Sequence, residues 1–187
     1  MTLAFGALLV LPGCSLNVKK DGEGKEKKVD IETPLGALHV RNDADARDVG
    51  LAVYPGARRK EKSGNGQETG AHVNISTSLF GVKVVAMEYT SDDPPDKLVA
   101  FYKDQLKKYG SVLECHTDKS HTSATTEHDD SDSGKLKCED DQNGKTIELK
   151  VGTEQNQHIA SIKPADDGKG SDFALVYVQM RHGKDTI

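Results

Sequence analysis

Alternating apolar and polar residues recur in several short runs along this chain, a period of two that predicts strands. Val29, Ile31 and Thr33 alternate with polar neighbours before Pro34-Leu35-Gly36 turns the chain into residues 37–40, a pattern that predicts a β-hairpin. Val73, Ile75 and Thr77 alternate with Asn74 and Ser76 over residues 72–78, as a half-buried strand does. Residues 82–90 follow across Leu79-Phe80-Gly81 and are more continuously apolar, which suits a central strand. Residues 111–115, 135–139, 145–151, 157–163 and 173–180 read as further strands. Asn143-Gly144 predicts a hairpin turn between 135–139 and 145–151, because both residue types tolerate positive φ. Residues 173–178 (FALVYV) lack alternation, so both faces of that strand are expected to be covered.

Helical periodicity occurs once. Pro94-Pro95 follows Ser91-Asp92-Asp93, and proline suits the first helical positions because an N–H there has no intrahelical partner. Asp93 is the expected N-cap, and Asp92 and Asp96 favour the positive end of the helix dipole. Leu98, Tyr102 and Leu106 form one stripe, widened by Val99, Phe101 and Tyr109. Lys107 and Lys108 fall in the last turn, and Gly110 is placed for a left-handed C-terminal cap. Residues 42–48 predict a loop or a short helical turn, Pro55-Gly56 a turn, and 58–70 a charged, glycine-rich loop. Strands joined by short turns imply a mostly antiparallel sheet, and one amphipathic helix is available to cover one face. The expected fold class is α+β.

Residues 3–11 form an apolar run that ends in Leu11-Pro12-Gly13-Cys14, after which the chain becomes charged and lysine-rich. The run is shorter than the roughly 20 residues a membrane-spanning helix needs. It resembles a bacterial lipoprotein signal, in which the chain is cut before the cysteine and that cysteine is acylated. Two features depart from the pattern: Met1-Thr2 carries no basic residue, which an upstream start would supply, and Pro12 stands where a small residue is usual. Another secretory segment and a buried core element are the rival readings. The lipoprotein resemblance implies a signal peptide over 1–13, a diacylated Cys14 on a tether over 14–28, and a single domain over 29–187. Ser15, in place of Asp, implies the outer membrane, facing the periplasm. The tether reading rests on Lys19, Lys20, Lys25, Lys27 and Lys28 interleaved with Asp21, Glu23, Glu26 and two glycines.

The cysteine count agrees with export. Three cysteines is an odd number, and assigning Cys14 to lipid leaves Cys115 and Cys138 as a pair. A disulfide between them suits an oxidising compartment; two free thiols are the alternative. Cys-x-x-Cys is absent, which argues against redox catalysis.

A second resemblance covers about residues 51–115. Val53-Tyr54-Pro55-Gly56-Ala57, then Tyr89-Thr90-Ser91-Asp92 leading into Phe101-Tyr102, Leu106 and Gly110, is similar to a pattern in uncharacterised exported bacterial lipoproteins. Ser111 departs from it, since an aromatic such as Trp is common after the glycine. The resemblance implies a strand leading into a helix and carries no catalytic residues.

Candidate chemistry is sparse. His116, His121, His128 and Asp130, with Asp118, Glu127, Asp129 and Asp132, are the weak candidates for a metal site within a low-complexity loop expected over 116–134. Their spacing fits neither a helical His-Glu-x-x-His site nor an EF-hand, whose final bidentate Glu is replaced by Asp140. No Gly-x-Ser-x-Gly elbow is present, so catalytic residues and cofactors are expected to be none. Tyr54, Phe80, Tyr89 and Tyr177 are candidates to line a groove, with sheet packing as the simpler role. A net charge of −5 argues against nucleic acid as a partner. The expected function is a lipid-anchored cell-envelope protein that binds or scaffolds, contacting the membrane through its anchor and an envelope protein through an exposed sheet face or edge. The alternative is a periplasmic metal-binding or enzymatic module that uses the His/Asp-rich loop.

Overall fold

The computed structural model describes residues 15–20, 26–41, 44–61, 70–118, 134–138 and 144–182. In chain order the strands are β1 (Ser15–Lys20), β2 (Glu26–Thr33), β3 (Gly36–Arg41), β4 (Arg58–Arg59), β5 (Gly70–Thr77), β6 (Phe80–Ser91), β7 (Leu113–Thr117), β8 (Thr146–Thr153), β9 (Asn156–Pro164) and β10 (Ser171–His182). The helices are α1 (Ala46–Val49) and α2 (Pro95–Leu106), the latter continuing into a 3-10 turn at Lys107–Tyr109. One sheet runs in the order β1-β2-β3-β5-β6-β10-β9-β8-β7, with β4 also paired to β6. All of these pairings are antiparallel. The fold is thus mostly antiparallel sheet with one main helix, more sheet-dominated than an α+β label conveys.

The core lies between α2 and the half of the sheet built from β6, β10, β9 and β8. Phe173 pairs with Tyr89 on one side and Ile162 on the other, and Leu175 pairs with Met87 and Ala160. These side chains therefore point to one face. Leu98, Tyr102 and Leu106 of α2 are fully buried against it, together with Val49 and Leu51. Tyr89 and Phe173 stack with ring centroids 5.2 Å apart. The buried Tyr102 hydroxyl accepts a 3.0 Å hydrogen bond from the Tyr54 N–H, and burial pushes its pKa upward.

α1 is held by tertiary contacts rather than by its length. Asp45 and Asp48 form a capping box at its start, and Gly50 ends it with φ +73°. The Gly50 carbonyl accepts from the Tyr109 hydroxyl at 2.7 Å and from Lys108 Nζ at 2.9 Å. His158 Nδ1 donates to the Val49 carbonyl at 2.7 Å, and its ring stacks on Tyr109. The short helix is thereby tied at once to the end of α2 and to β9.

Several expectations differ from the structure. Ser15–Lys20, expected within the tether, is a strand paired to β2, because Leu16 and Val18 register with Ile31 and Val29. Residues 135–138 are not a strand, and β8 has β9 on one edge and β7 on the other; Glu139 and Asn143 of the expected hairpin lie outside the described residues. Pro94, not Asp93, is the N-cap of α2. The Asp93 carboxylate instead accepts from Lys97 Nζ at 2.7 Å and the Tyr54 hydroxyl at 2.8 Å, and these contacts hold it below the usual carboxylate range. Gly110 follows the 3-10 turn at φ 136° and ψ −158°, a positive-φ glycine conformation outside the αL region expected of the cap.

Leu98→Ala should lower the free energy of unfolding by about 2–5 kcal/mol, and Tyr102→Phe by about 1–3 kcal/mol through the orphaned Tyr54 N–H, both read by urea denaturation. Burial holds the His158 pKa below its ordinary 6.5, partly offset by the Val49 carbonyl, with Lys108 lowering it further. The unfolded chain then takes up this proton first, so the stability His158 contributes is full above about pH 6.5 and lost as pH falls through the folded-state value. The urea midpoint should fall on acidification from about pH 7.5 to about pH 5, with a smaller fall in His158→Gln.

Candidate functional site

Alternation divides the sheet into two faces, and the described helices pack on one of them, against β6, β8, β9 and β10. The opposite face carries two rows of aliphatic side chains in direct register. One row is Leu16, Ile31, Leu38, Ile75, Val82 and Met180. The next, one pleat further along, is Val18, Val29, Val40, Val73, Val84 and Val178. From β1 to β6 these side chains are half-buried or exposed, and no described helix packs on them. The face behind them is polar over the same strands: Lys28, Asp30, His39, Arg41, Asn74 and Lys83. Asp30 bridges Lys28 at 2.9 Å and His39 at 2.8 Å, and its carboxyl is held below the usual range chiefly by Lys28.

The aliphatic face ends in charge. Towards the far ends of β6 and β10 it carries Glu88 and Asp172, and Lys60 donates to Asp172 at 2.6 Å. On β8 it carries Glu148 and Lys150, an ion pair at 3.1 Å with side chains only 5% and 10% exposed. Cys115 pairs with Glu148 across β7 and β8 and points the same way. It is joined to Cys138, with Cα atoms 5.5 Å apart across a sequence separation of 23. The sequence identified this strand but not the burial of its charges. Thr146, Glu148 and Lys150 alternate with Ile147, Leu149 and Val151 as on any solvated strand.

The other expected site residues are not brought together. Cys14, His121, His128 and Asp130 lie outside the described residues. His116 sits on β7 with Nε2 3.2 Å from Glu114 Oε1, and Glu114 also bridges Lys103 of α2, which holds its carboxyl below the usual range. Asp118 accepts from the Lys145 N–H at 3.3 Å. Among the described residues no three His, Cys, Asp or Glu side chains are placed to share a metal ion.

The four candidate aromatics line no common groove. Tyr54 meets Phe101 edge-on, Tyr89 stacks on Phe173, and Tyr177 packs on His158. Phe80 lies on the opposite face and is 46% exposed.

No protein-family model, curated protein or solved structure matches the chain. Replacing Cys115 and Cys138 together by serine should lower the free energy of unfolding by about 3 kcal/mol, the chain-entropy value for a loop of this length, measured by urea denaturation against the oxidised protein.

Proposed function

We propose that this is a lipid-anchored cell-envelope protein, held at the outer membrane by acylated Cys14 and acting by binding or scaffolding rather than by catalysis. The observation that carries the binding role is the aliphatic face: two registered rows across six strands with no described helix over them. Contiguous apolar surface of this extent marks an interaction site more often than a neutral surface. The residue following Cys14 is already paired into β1, so the anchor in this reading joins the sheet with almost no slack. The disulfide of Cys115 and Cys138 suits an oxidising compartment.

The partner in this reading is an envelope protein that presents apolar side chains to the face and leaves its polar reverse in water. Cys14→Ala should move most of the protein from the membrane to the soluble fraction on cell fractionation, and membrane association undiminished from wild type would count against acylation. A photoreactive residue at position 40, on the aliphatic face, should capture a defined partner in intact cells. The same residue at position 39, on the polar reverse, should not; equal capture from both positions would remove the face as the contact surface.

A further inference from the structure

Two hairpin tips project side by side at one end of the sheet, and they are built alike. The first is Thr33-Pro34-Leu35-Gly36 between β2 and β3, the second Thr77-Ser78-Leu79-Phe80 between β5 and β6. They adjoin because Gly36 pairs with Thr77, and a shallow depression lined by residues 32–37 and 76–78 runs between them. In each tip the threonine hydroxyl closes the turn. Thr33 Oγ1 accepts from the Leu35 N–H at 3.3 Å and donates to the Gly36 carbonyl at 3.0 Å. Thr77 Oγ1 accepts from the N–H groups of Leu79 and Phe80 at 3.2 and 3.0 Å and donates to the Phe80 carbonyl at 3.0 Å.

In each turn the threonine hydroxyl takes up the leucine N–H, and that leucine, two residues beyond the threonine, is lifted into the open. Leu35 is 84% and Leu79 77% exposed, among the most exposed large apolar side chains described. Leu16 and Phe80, at 67% and 46%, complete the same rim. Residues 33–38 and 75–82 contain no charged side chain, in a chain whose composition is 29% charged.

We infer that this rim is a membrane-docking edge: Leu35, Leu79, Phe80 and Leu16 enter the interface of a phospholipid bilayer and stand the sheet upright on it. Apolar side chains at an edge gain by leaving water, and N–H groups already hydrogen-bonded, as on Leu35, Leu79 and Phe80, lose little on entering the interface. The path of the chain selects a bilayer over a protein as the occupant. Ser15 opens β1 opposite Glu32, one residue from the first tip, which brings the start of β1, and with it the attachment of residue 14, to this same rim. A lipid on Cys14 and the two tips would then enter one bilayer from one side. The inference deepens the anchored reading and rests on it for that direction of approach. In this posture the aliphatic rows rise from the membrane surface and remain open to a protein partner, while the β9–β10 turn points away from the membrane. That turn lies about 40 Å from the tips, the length of the twelve residues of β10.

The absence of tryptophan makes the test direct. Phe80→Trp and, as the distant control, Lys169→Trp each give the full chain a single indole. Each is compared in isolated membranes and, on a Cys14→Ala background, with vesicles of phosphatidylethanolamine and phosphatidylglycerol. The expected result is a blue shift and quenching by bromine-labelled lipid for the indole at position 80 and neither for that at 169. The Cys14→Ala chain should still show weak saturable vesicle binding, reduced at least about tenfold by Leu35→Asp or Leu79→Asp. Both leucines are exposed, so these variants should keep the wild-type urea midpoint.

Membrane retention through Cys14 with an unquenched indole at position 80 would overturn the docking edge and leave the anchor standing. Vesicle binding that depends on Leu35 and Leu79, together with mass spectrometry showing an unacylated Cys14 in the wild-type protein from membranes, would support the edge and remove the anchor. Quenching at positions 80 and 169 alike would overturn the upright posture, and no vesicle binding by the Cys14→Ala chain would overturn an edge with affinity of its own.

Discussion

A single main helix cannot cover this sheet, and most of the molecule's surface chemistry follows from that mismatch. Twelve residues of α2 reach about 18 Å, whereas nine strands side by side extend about 43 Å. The helix packs on β8 and β9, α1 packs on β6 and β10, and the strands from β1 to β5 extend beyond both. Under the helices the sheet is apolar on the covered face. Beyond them the apolar side changes over, so that β1, β2, β3 and β5 carry their aliphatic residues on the side away from the helices. β6 and β10 serve both halves. Val85, Met87 and Tyr89 face α2 and α1, while Val82 and Val84 face the other way. Strands that satisfy two faces need continuous apolar runs, which is what these two have.

The junction of the helices with the sheet depends on carbonyls that the short helix cannot satisfy itself. A four-residue helix leaves its C-terminal carbonyls without intrahelical partners, and Val49 and Gly50 find theirs on His158, Lys108 and Tyr109. The Lys108 ammonium also opposes the negative end of that helix. Gly50 is needed at this point: its φ is +73°, and a Cβ there would lie 2.5 Å from the Tyr109 hydroxyl. The wing that no described helix covers is the half that bears the candidate contact surface and the hairpin tips.

Strand existence was legible wherever alternation and a turn dipeptide coincided. The hairpin at Pro34-Leu35 is local in this sense; the one between β5 and β6 was legible as well, though its turn falls at Ser78-Leu79 rather than at Leu79-Phe80-Gly81, and β10 was legible as a continuous apolar run. Local pattern failed where a distant segment had a prior claim on an edge. Asn143-Gly144 is a good hairpin signal, but β8 takes β7 as its neighbour, and residue 138 is tied by its disulfide to a strand more than twenty residues earlier. The same competition draws Ser15–Lys20 out of an apparent tether, since Leu16 and Val18 find matching rows on β2. Asp93 failed as a cap for a shorter-range reason. The helix starts one residue later than the acidic pattern suggests, and Tyr54 and Lys97 occupy the carboxylate.

By itself the sequence determined that the chain is mostly antiparallel sheet and that one amphipathic helix spans the nineties and hundreds, and it marked Cys115 and Cys138 as candidates to pair. Those properties depend on neighbours within a few residues or on simple counting. The order of the strands, the face on which each aliphatic row lies, the burial of Glu148 with Lys150, and the meeting of two Thr-x-Leu tips at the end where β1 begins were decided only by the tertiary structure. Each depends on which strand pairs with which across tens of residues, and a period of two is the same on either face until that pairing is made.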